Sequence, residues 1–262
     1  MDEPQLIYDW NVEGKDQAPK PGPVELDDET LRDGLQSPSV RTPTVDEKIR
    51  ILHYIDALGI QSANIGLPGA GPRVKDDVIR LAREIREQRL RIFPNCAART
   101  LRVDIEPIIE ASEVAGIPIE VAVFIGSSPI RQFAERWDLD RMLRHTREAV
   151  EYAVDAGLPV MFVTEDTTRA RPETLRQLYT AAIEAGAQRL CLADTVGHIA
   201  PEGVWNIVNF VRSVVAESGA SVQIDWHGHN DRGLALINSL TAVYAGANRV
   251  HGTALGIGER VG

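Results

Sequence analysis

The chain has 262 residues, 44% of them hydrophobic and 25% charged, with a formal net charge of −10. It carries no basic stripe and no interleaving of aromatic with basic residues, which argues against nucleic acid as a partner. No apolar run reaches membrane-spanning length, no signal peptide is evident, and Cys96 and Cys191 lack metal-ligand spacing, so a cytoplasmic protein with reduced thiols is the expectation.

Residues 1–23 place Pro4, Pro19, Pro21 and Pro23 among charges without a clear period. They read as an N-terminal arm ahead of one domain over residues 24–262. From there, short apolar stretches alternate with amphipathic ones. Val24-Glu25-Leu26-Asp27 opens a first strand, and Asp28 and Glu29 continue an acidic cluster. Thr44 and Glu47 form a capping box, with Val45, Ile49, Leu52 and Ile55 as the helix stripe behind it. Residues 61–66 make a second strand, and Val74, Val78, Leu81 and Ile85 mark a second helix. A third strand starts at Arg91, a helix runs over 101–115 with Gly116 as its stop, and a fourth strand covers 119–125. Leu139, Met142, Leu143, Thr146 and Val150 mark the fourth helix. A strand over 159–163, a helix over 174–185 and a strand over 189–193 follow. Pro201 suits the first turn of a helix, and the seventh strand leads from Ser221 to two histidines. A helix over 234–244 and a strand over 248–253 complete the series.

Eight strands and seven helices in strict alternation predict an α/β fold with a parallel sheet, closed as a (β/α)8 TIM barrel. The eighth helix would come after Gly262, so the spacing predicts a barrel cut short before it.

Active sites of such barrels lie at the C-terminal ends of the strands. The polar clusters fall there: residues 28–36, Thr164-Glu165-Asp166, Asp194-Thr195, His227-Gly228-His229, and Gly256 to Arg260. Side chains alternate along a strand, so His227 and His229 face the same way and can share one divalent cation. Asp225 shares that face, as a support for the histidines or as a residue of the barrel interior. Blander readings stand beside these. Arg32-Asp33 can be a local ion pair, Glu165 and Asp166 a charge pair at a helix N-terminus, and Asp194-Thr195 a helix cap. His53 and His145 fall within helices and read as structural. His198 and His251 have no partner that the sequence names.

Leu31-Arg32-Asp33-Gly34, Asp194-Thr195-Val196-Gly197, His227-Gly228-His229-Asn230-Asp231 and Gly256-Ile257-Gly258-Glu259-Arg260 occur in this order in the DRE-TIM metallolyases, which the chain resembles from about Glu25 onward. That group holds 2-isopropylmalate, homocitrate and citramalate synthases and their lyase relatives. The resemblance implies Asp33, His227 and His229 as ligands of a divalent metal (Mg, Mn or Zn). It implies Arg32 and Glu165 as catalytic residues, and Arg32, Thr195 and Gln36 as substrate contacts. It further implies condensation of acetyl-CoA with a 2-keto acid, a place in amino-acid biosynthesis such as that of leucine, and a homodimer in full-length form. The enzymatic alternative is a metal-dependent C–C lyase or aldolase of the 3-hydroxy-3-methylglutaryl-CoA lyase type, whose Asp-Gly-Leu-Gln order is matched by Asp33 to Gln36. Against it, the Cys of the lyase loop after strand eight has no counterpart between Gly256 and Gly262. Leu35, Ala122, Arg131 and Val163 depart from the synthase pattern. The family motif also implies an Asn ligand just after Gly262. A chain extended by about forty residues, enough for the missing helix and loop, is therefore expected to melt higher and bind metal more tightly.

Overall fold

The computed structural model describes residues 21–260, so the expected arm lies outside the described residues except for 21–23. Eight parallel strands close into a barrel in sequence order. They are β1 (Glu25–Asp28), β2 (Ser62–Asn64), β3 (Phe93–Arg99), β4 (Glu120–Gly126), β5 (Val160–Glu165), β6 (Arg189–Asp194), β7 (Gln223–Gly228) and β8 (Arg249–Gly252). Closure is made by β8 against β1, with Glu25 opposite Arg249 and Asp27 opposite His251.

The helices are α1 (Val45–Ala57), α2 (Pro72–Gln88), α3 (Arg102–Ala115), α4 (Pro129–Glu135), α5 (Leu139–Asp155), α6 (Pro172–Glu184), α7 (Pro201–Ser218) and α8 (Ala235–Ala245). Seven match the expected ones. The addition is α4, a short helix between β4 and α5 that buries none of its residues, so it has no apolar stripe to betray it. Its local signals are Pro129 in the first turn and Ser128 at the N-cap. The Thr44–Glu47 capping box forms as expected: Thr44 Oγ1 accepts from Glu47 N–H, and Glu47 Oε2 accepts from Thr44 N–H at 2.8 Å. Gly116 stops α3 in the left-handed region, with φ 73°. No described helix is long and apolar enough to cross a membrane.

Most strand boundaries lie a residue or two from expectation, and two of the shifts have a visible cause. The second strand shrinks to three residues. Gln61 instead supports the sheet from its side chain, accepting the Leu26 N–H at 2.8 Å. The third strand begins at Phe93 rather than Arg91, because Asp56 holds the Arg91 N–H in the preceding turn at 2.7 Å.

Strand parity decides what sits inside the barrel. Outward residues such as Val121, Phe162, Leu190 and Trp226 are buried beneath the helices as the main hydrophobic core. Inward residues near the N-terminal end are ionic instead of the usual branched apolar layers. Arg249, 1% exposed, donates to Asp225 at 2.6 Å, Glu120 at 2.8 Å and Ser62 at 3.2 Å. Arg189 adds contacts to Glu25 at 2.6 Å and Asp225 at 3.0 Å. Asp225 is thus a residue of the barrel interior, held by both arginines.

Candidate active site

Above the ionic layer the inward residues surround a cavity of about 240 Å³ at the C-terminal strand ends. Every predicted site residue lines it: Arg32, Asp33, Gln36, Glu165, Thr195, His227 and His229.

His227 is the last inward residue of β7, and His229 lies just past the strand end, its N–H bonded to the Asp194 carbonyl at 3.3 Å. The glycine between them is required by packing. A Cβ at Gly228 would come within 2.8 Å of Trp226 Nε1 on the outer face. Asp33 comes from the turn after β1 and offers Oδ2 to both rings, 3.3 Å from His227 Nε2 and 3.8 Å from His229 Nε2. Its Oδ1 accepts the Glu259 N–H at 2.7 Å, tying the loop after β8 to the cluster. One ligand atom from each of the three residues lies within 4.8 Å of the others.

This donor set fits a divalent cation of borderline hardness: two imidazole nitrogens and a carboxylate oxygen. Its protonation also fits. Burial raises the Asp33 carboxyl, but the hydrogen bond from His227 and the charge of Arg32 hold it well below the ordinary range. Burial, reinforced by the charge of His227, lowers His229 to about 4, so its ring is neutral near pH 7 as a ligand must be.

The guanidinium of Arg32 hangs over the cavity, held mainly by Glu29. Nε donates to Glu29 Oε2 at 2.8 Å, and Nη2 lies 2.6 Å from the same oxygen. Asp33 Oδ2 is farther, 3.6 Å from Nη1, and Gln36 Oε1 accepts from Nη1 at 3.3 Å. The local ion pair of Arg32 is therefore with Glu29 first and Asp33 second. Glu165 ends β5 with Oε1 3.6 Å from Arg131 Nε, and burial outweighs that arginine to push its carboxyl above the usual value. Thr195 accepts the Asp166 N–H at 2.8 Å, which leaves its hydroxyl proton for the cavity.

The blander alternatives resolve individually. Asp194 caps the turn before α7, accepting the His198 N–H at 2.9 Å and the Ile199 N–H at 3.4 Å, while α7 itself has no side-chain cap. Asp166 turns away to form a two-bond pair with Arg169 at 2.7 and 2.8 Å. His53 pairs with Glu84 and His145 stacks on Trp137, both structural as expected.

Sequence reasoning missed His251 and the role of Glu29. His251, two residues after Arg249 and so on the same face of β8, lies 3.2 Å from Asp225 Oδ2, 3.3 Å from Glu29 Oε1 and 3.3 Å from His227 Nδ1. Burial alone would lower its pKa, but Asp27, Asp225 and Glu29 raise it to about 9. Strand parity in β8 was the available signal. Among the described residues, Glu29, His227 and His251 form a second group of potential ligands within 4.8 Å of one another.

Of the four departures from the synthase pattern, Ala122 and Val163 line the cavity, Arg131 faces Glu165, and Leu35 packs into the core.

A sequence profile described as HMGL-like matches residues 23–262. The homocitrate synthase AksA of Methanopyrus kandleri is 38% identical over 243 residues, covering 92% of this chain and 57% of that protein. A 2-isopropylmalate synthase of Pyrococcus furiosus is 36% identical over 241 residues, covering 91% of this chain and 47% of that protein. The chain thus spans about half the length of the curated relatives it matches. A solved structure of the HMG-CoA lyase of Bacillus subtilis superposes with a TM-score of 0.73 at 23% identity, covering 92% of this chain and 80% of that one, a likeness of fold. With the profile matched over nearly all of its length, the chain belongs to the HMGL-like family, the DRE-TIM group that its motifs resemble.

Proposed function

We propose that this barrel condenses acetyl-CoA with a 2-keto acid in a Claisen-type reaction, as in the synthases whose names its relatives carry. The observation that supports it most is the convergence of Asp33, His227 and His229 beside Arg32 and Glu165 in one cavity. The three ligands would hold Mg²⁺, Mn²⁺ or Zn²⁺, which supplies Lewis acidity to a keto acid carbonyl. Arg32 presents its remaining N–H groups to the oxygen on which negative charge develops. Thr195 donates its hydroxyl to the substrate carboxylate. Glu165, with its raised proton affinity, is placed to exchange a proton with the reacting groups. The inner wall of Ala97, Ala122, Met161, Val163, Cys191 and Ala193 is apolar and takes the keto acid side chain. In the same proposal the full-length protein is a cytoplasmic homodimer of amino-acid biosynthesis, with a 2-isopropylmalate-type product as the leading candidate.

Incubating full-length protein and Mn²⁺ with acetyl-CoA and a panel of keto acids, while following free thiol, tests this directly. Thiol release with one keto acid is expected. The second reading, a C–C lyase, is favoured by the order Asp33-Gly34-Leu35-Gln36. Cleavage of a hydroxyacyl-CoA without thiol release from any keto acid would select it.

Arg32→Lys checks the oxyanion role. An ammonium cannot both take the two-donor grip of Glu29 and face the substrate. We expect kcat to fall by roughly 10²-fold or more with a smaller change in KM. Near-normal turnover would reduce Arg32 to a structural part.

A further inference from the structure

Glu29 occupies an unusual position between the two halves of this site. Its side chain is 3% exposed, and its backbone is pinned on both sides. The Glu29 N–H bonds to the Gly252 carbonyl of β8 at 2.8 Å, and its own carbonyl accepts from Arg32 N–H at 3.2 Å and Gly34 N–H at 3.0 Å. The turn that carries Arg32 and Asp33 is thus anchored at Glu29. The two carboxylate oxygens then divide. Oε2 takes Arg32 Nε and Nη2. Oε1 faces inward, 3.3 Å from His251 Nδ1 and 3.8 Å from His227 Nδ1. His251 in turn lies between Glu29 Oε1 and Asp225 Oδ2, and touches His227 Nδ1 at 3.3 Å. His227 therefore has its Nδ1 edge against a fixed wall, which leaves Nε2 as the nitrogen turned to Asp33 and the ligand cluster.

We infer that Glu29 is a positioning residue that aligns the oxyanion-facing guanidinium of Arg32 with the ligand nitrogen of His227, one carboxylate oxygen serving each. This rests on Asp33, His227 and His229 being the ligands of the divalent ion. Groups that orient a ligand histidine ordinarily act through its second nitrogen, as His251 does here at 3.3 Å, itself held by Glu29 Oε1 at 3.3 Å. The competing arrangement, in which Glu29, His227 and His251 hold the ion themselves, is disfavoured by charge. It would seat the ion against a carboxylate that already grips the Arg32 guanidinium at 2.6 Å, whereas Asp33 stands 3.6 Å from the same guanidinium.

The test is Glu29→Gln in the full-length protein, read by Mn²⁺ calorimetry and by kcat and KM. The amide keeps the size but has one oxygen, so it can serve Arg32 or the histidines and not both. Mn²⁺ should still bind at one equivalent, with affinity weakened about 10–100-fold, and kcat should fall more than KM rises. Glu29→Asp, which keeps both oxygens, should recover part of each loss. His251→Asn is the second probe. It removes the wall behind His227 while leaving the Arg32 pair, and should weaken Mn²⁺ binding with a smaller loss of kcat than Glu29→Gln. Unchanged Mn²⁺ affinity in Glu29→Gln, or in His251→Asn if the first variant fails to fold, would overturn the inference. So would a folded Glu29→Gln protein that binds no Mn²⁺, since that is the behaviour of a ligand. Wild-type protein that binds no Mn²⁺ would remove the metal assignment and this inference together. Wild-type protein that binds Mn²⁺ but condenses nothing would refute only the proposed reaction, and the Mn²⁺ measurements would then decide the inference by themselves.

Discussion

His227→Ala, His229→Ala and Asp33→Ala should each cost the full-length protein its stoichiometric Mn²⁺ and its turnover. The loss should exceed the roughly 10–100-fold typical of residues that only orient a ligand. Each change removes one of three donors that converge within 4.8 Å, leaving too few protein atoms to compete with water for the ion. Asp33→Ala has a second effect, because Oδ1 also holds the Glu259 N–H. Asp33→Asn separates the two: its amide oxygen can still accept that N–H, but the charge is gone. Metal loss in Asp33→Asn together with an unchanged melting temperature would tie the defect to ligation. Calorimetry decides the matter. A histidine variant that still takes up a full equivalent of Mn²⁺ would remove the centre of the proposed site.

Arg249→Met should destabilise the barrel by about 3–5 kcal/mol, the range for breaking a buried ion pair by removing one partner. Methionine fills much of the same volume, so the cost is electrostatic. Asp225, buried and stripped of its strongest partner, keeps only Arg189 and His251, and Glu120 keeps Arg189 at 3.5 Å. Set against a total stability of about 5–15 kcal/mol, such a loss would bring many domains close to unfolding at room temperature. A shift in the urea midpoint at constant m-value is the measurement. Arg80→Ala, which breaks an exposed pair with Asp46, is the control and should leave the midpoint where it was. A midpoint for Arg249→Met equal to the control's would mean that water or a rearranged Arg189 compensates the layer.

What the sequence reveals and conceals follows from the two periods of the backbone. The barrel and the rim residues are legible because Leu52 and Ile55 keep helical spacing, while Phe162, Leu190 and Trp226 mark strands buried on their outer side. His227-Gly228-His229 is legible because strand spacing turns both rings to one side and the other polar clusters fall on the same rim. Glu29 is hidden by its neighbours. In Asp27-Asp28-Glu29 three carboxylates stand in a row, and only the end of β1 decides that Asp28 turns back to accept the Thr30 N–H while Asp27 and Glu29 face inward. Arg189, Glu120 and Arg249 are hidden for a related reason. Charges at the first residue of a strand read as boundary markers, and nothing local shows that β1, β4, β6 and β8 aim theirs at one point beside Asp225 of β7. The short helix α4 leaves no trace in hydrophobic spacing because it has no buried face.

The ionic layer also bears on the order of events as the chain folds. Arg249 reaches Glu120 and Ser62 across 129 and 187 residues of chain, and its own strand, the last in sequence order, closes the ring against β1. Those bonds cannot form before the ring is shut, and the loop-closure entropy of shutting it is spent first. Interactions made after the rate-limiting barrier leave the refolding limb of a chevron nearly still and slow the unfolding limb. Buried charge at the base of this barrel would then govern mainly its lifetime once closed, and only weakly the speed at which it closes.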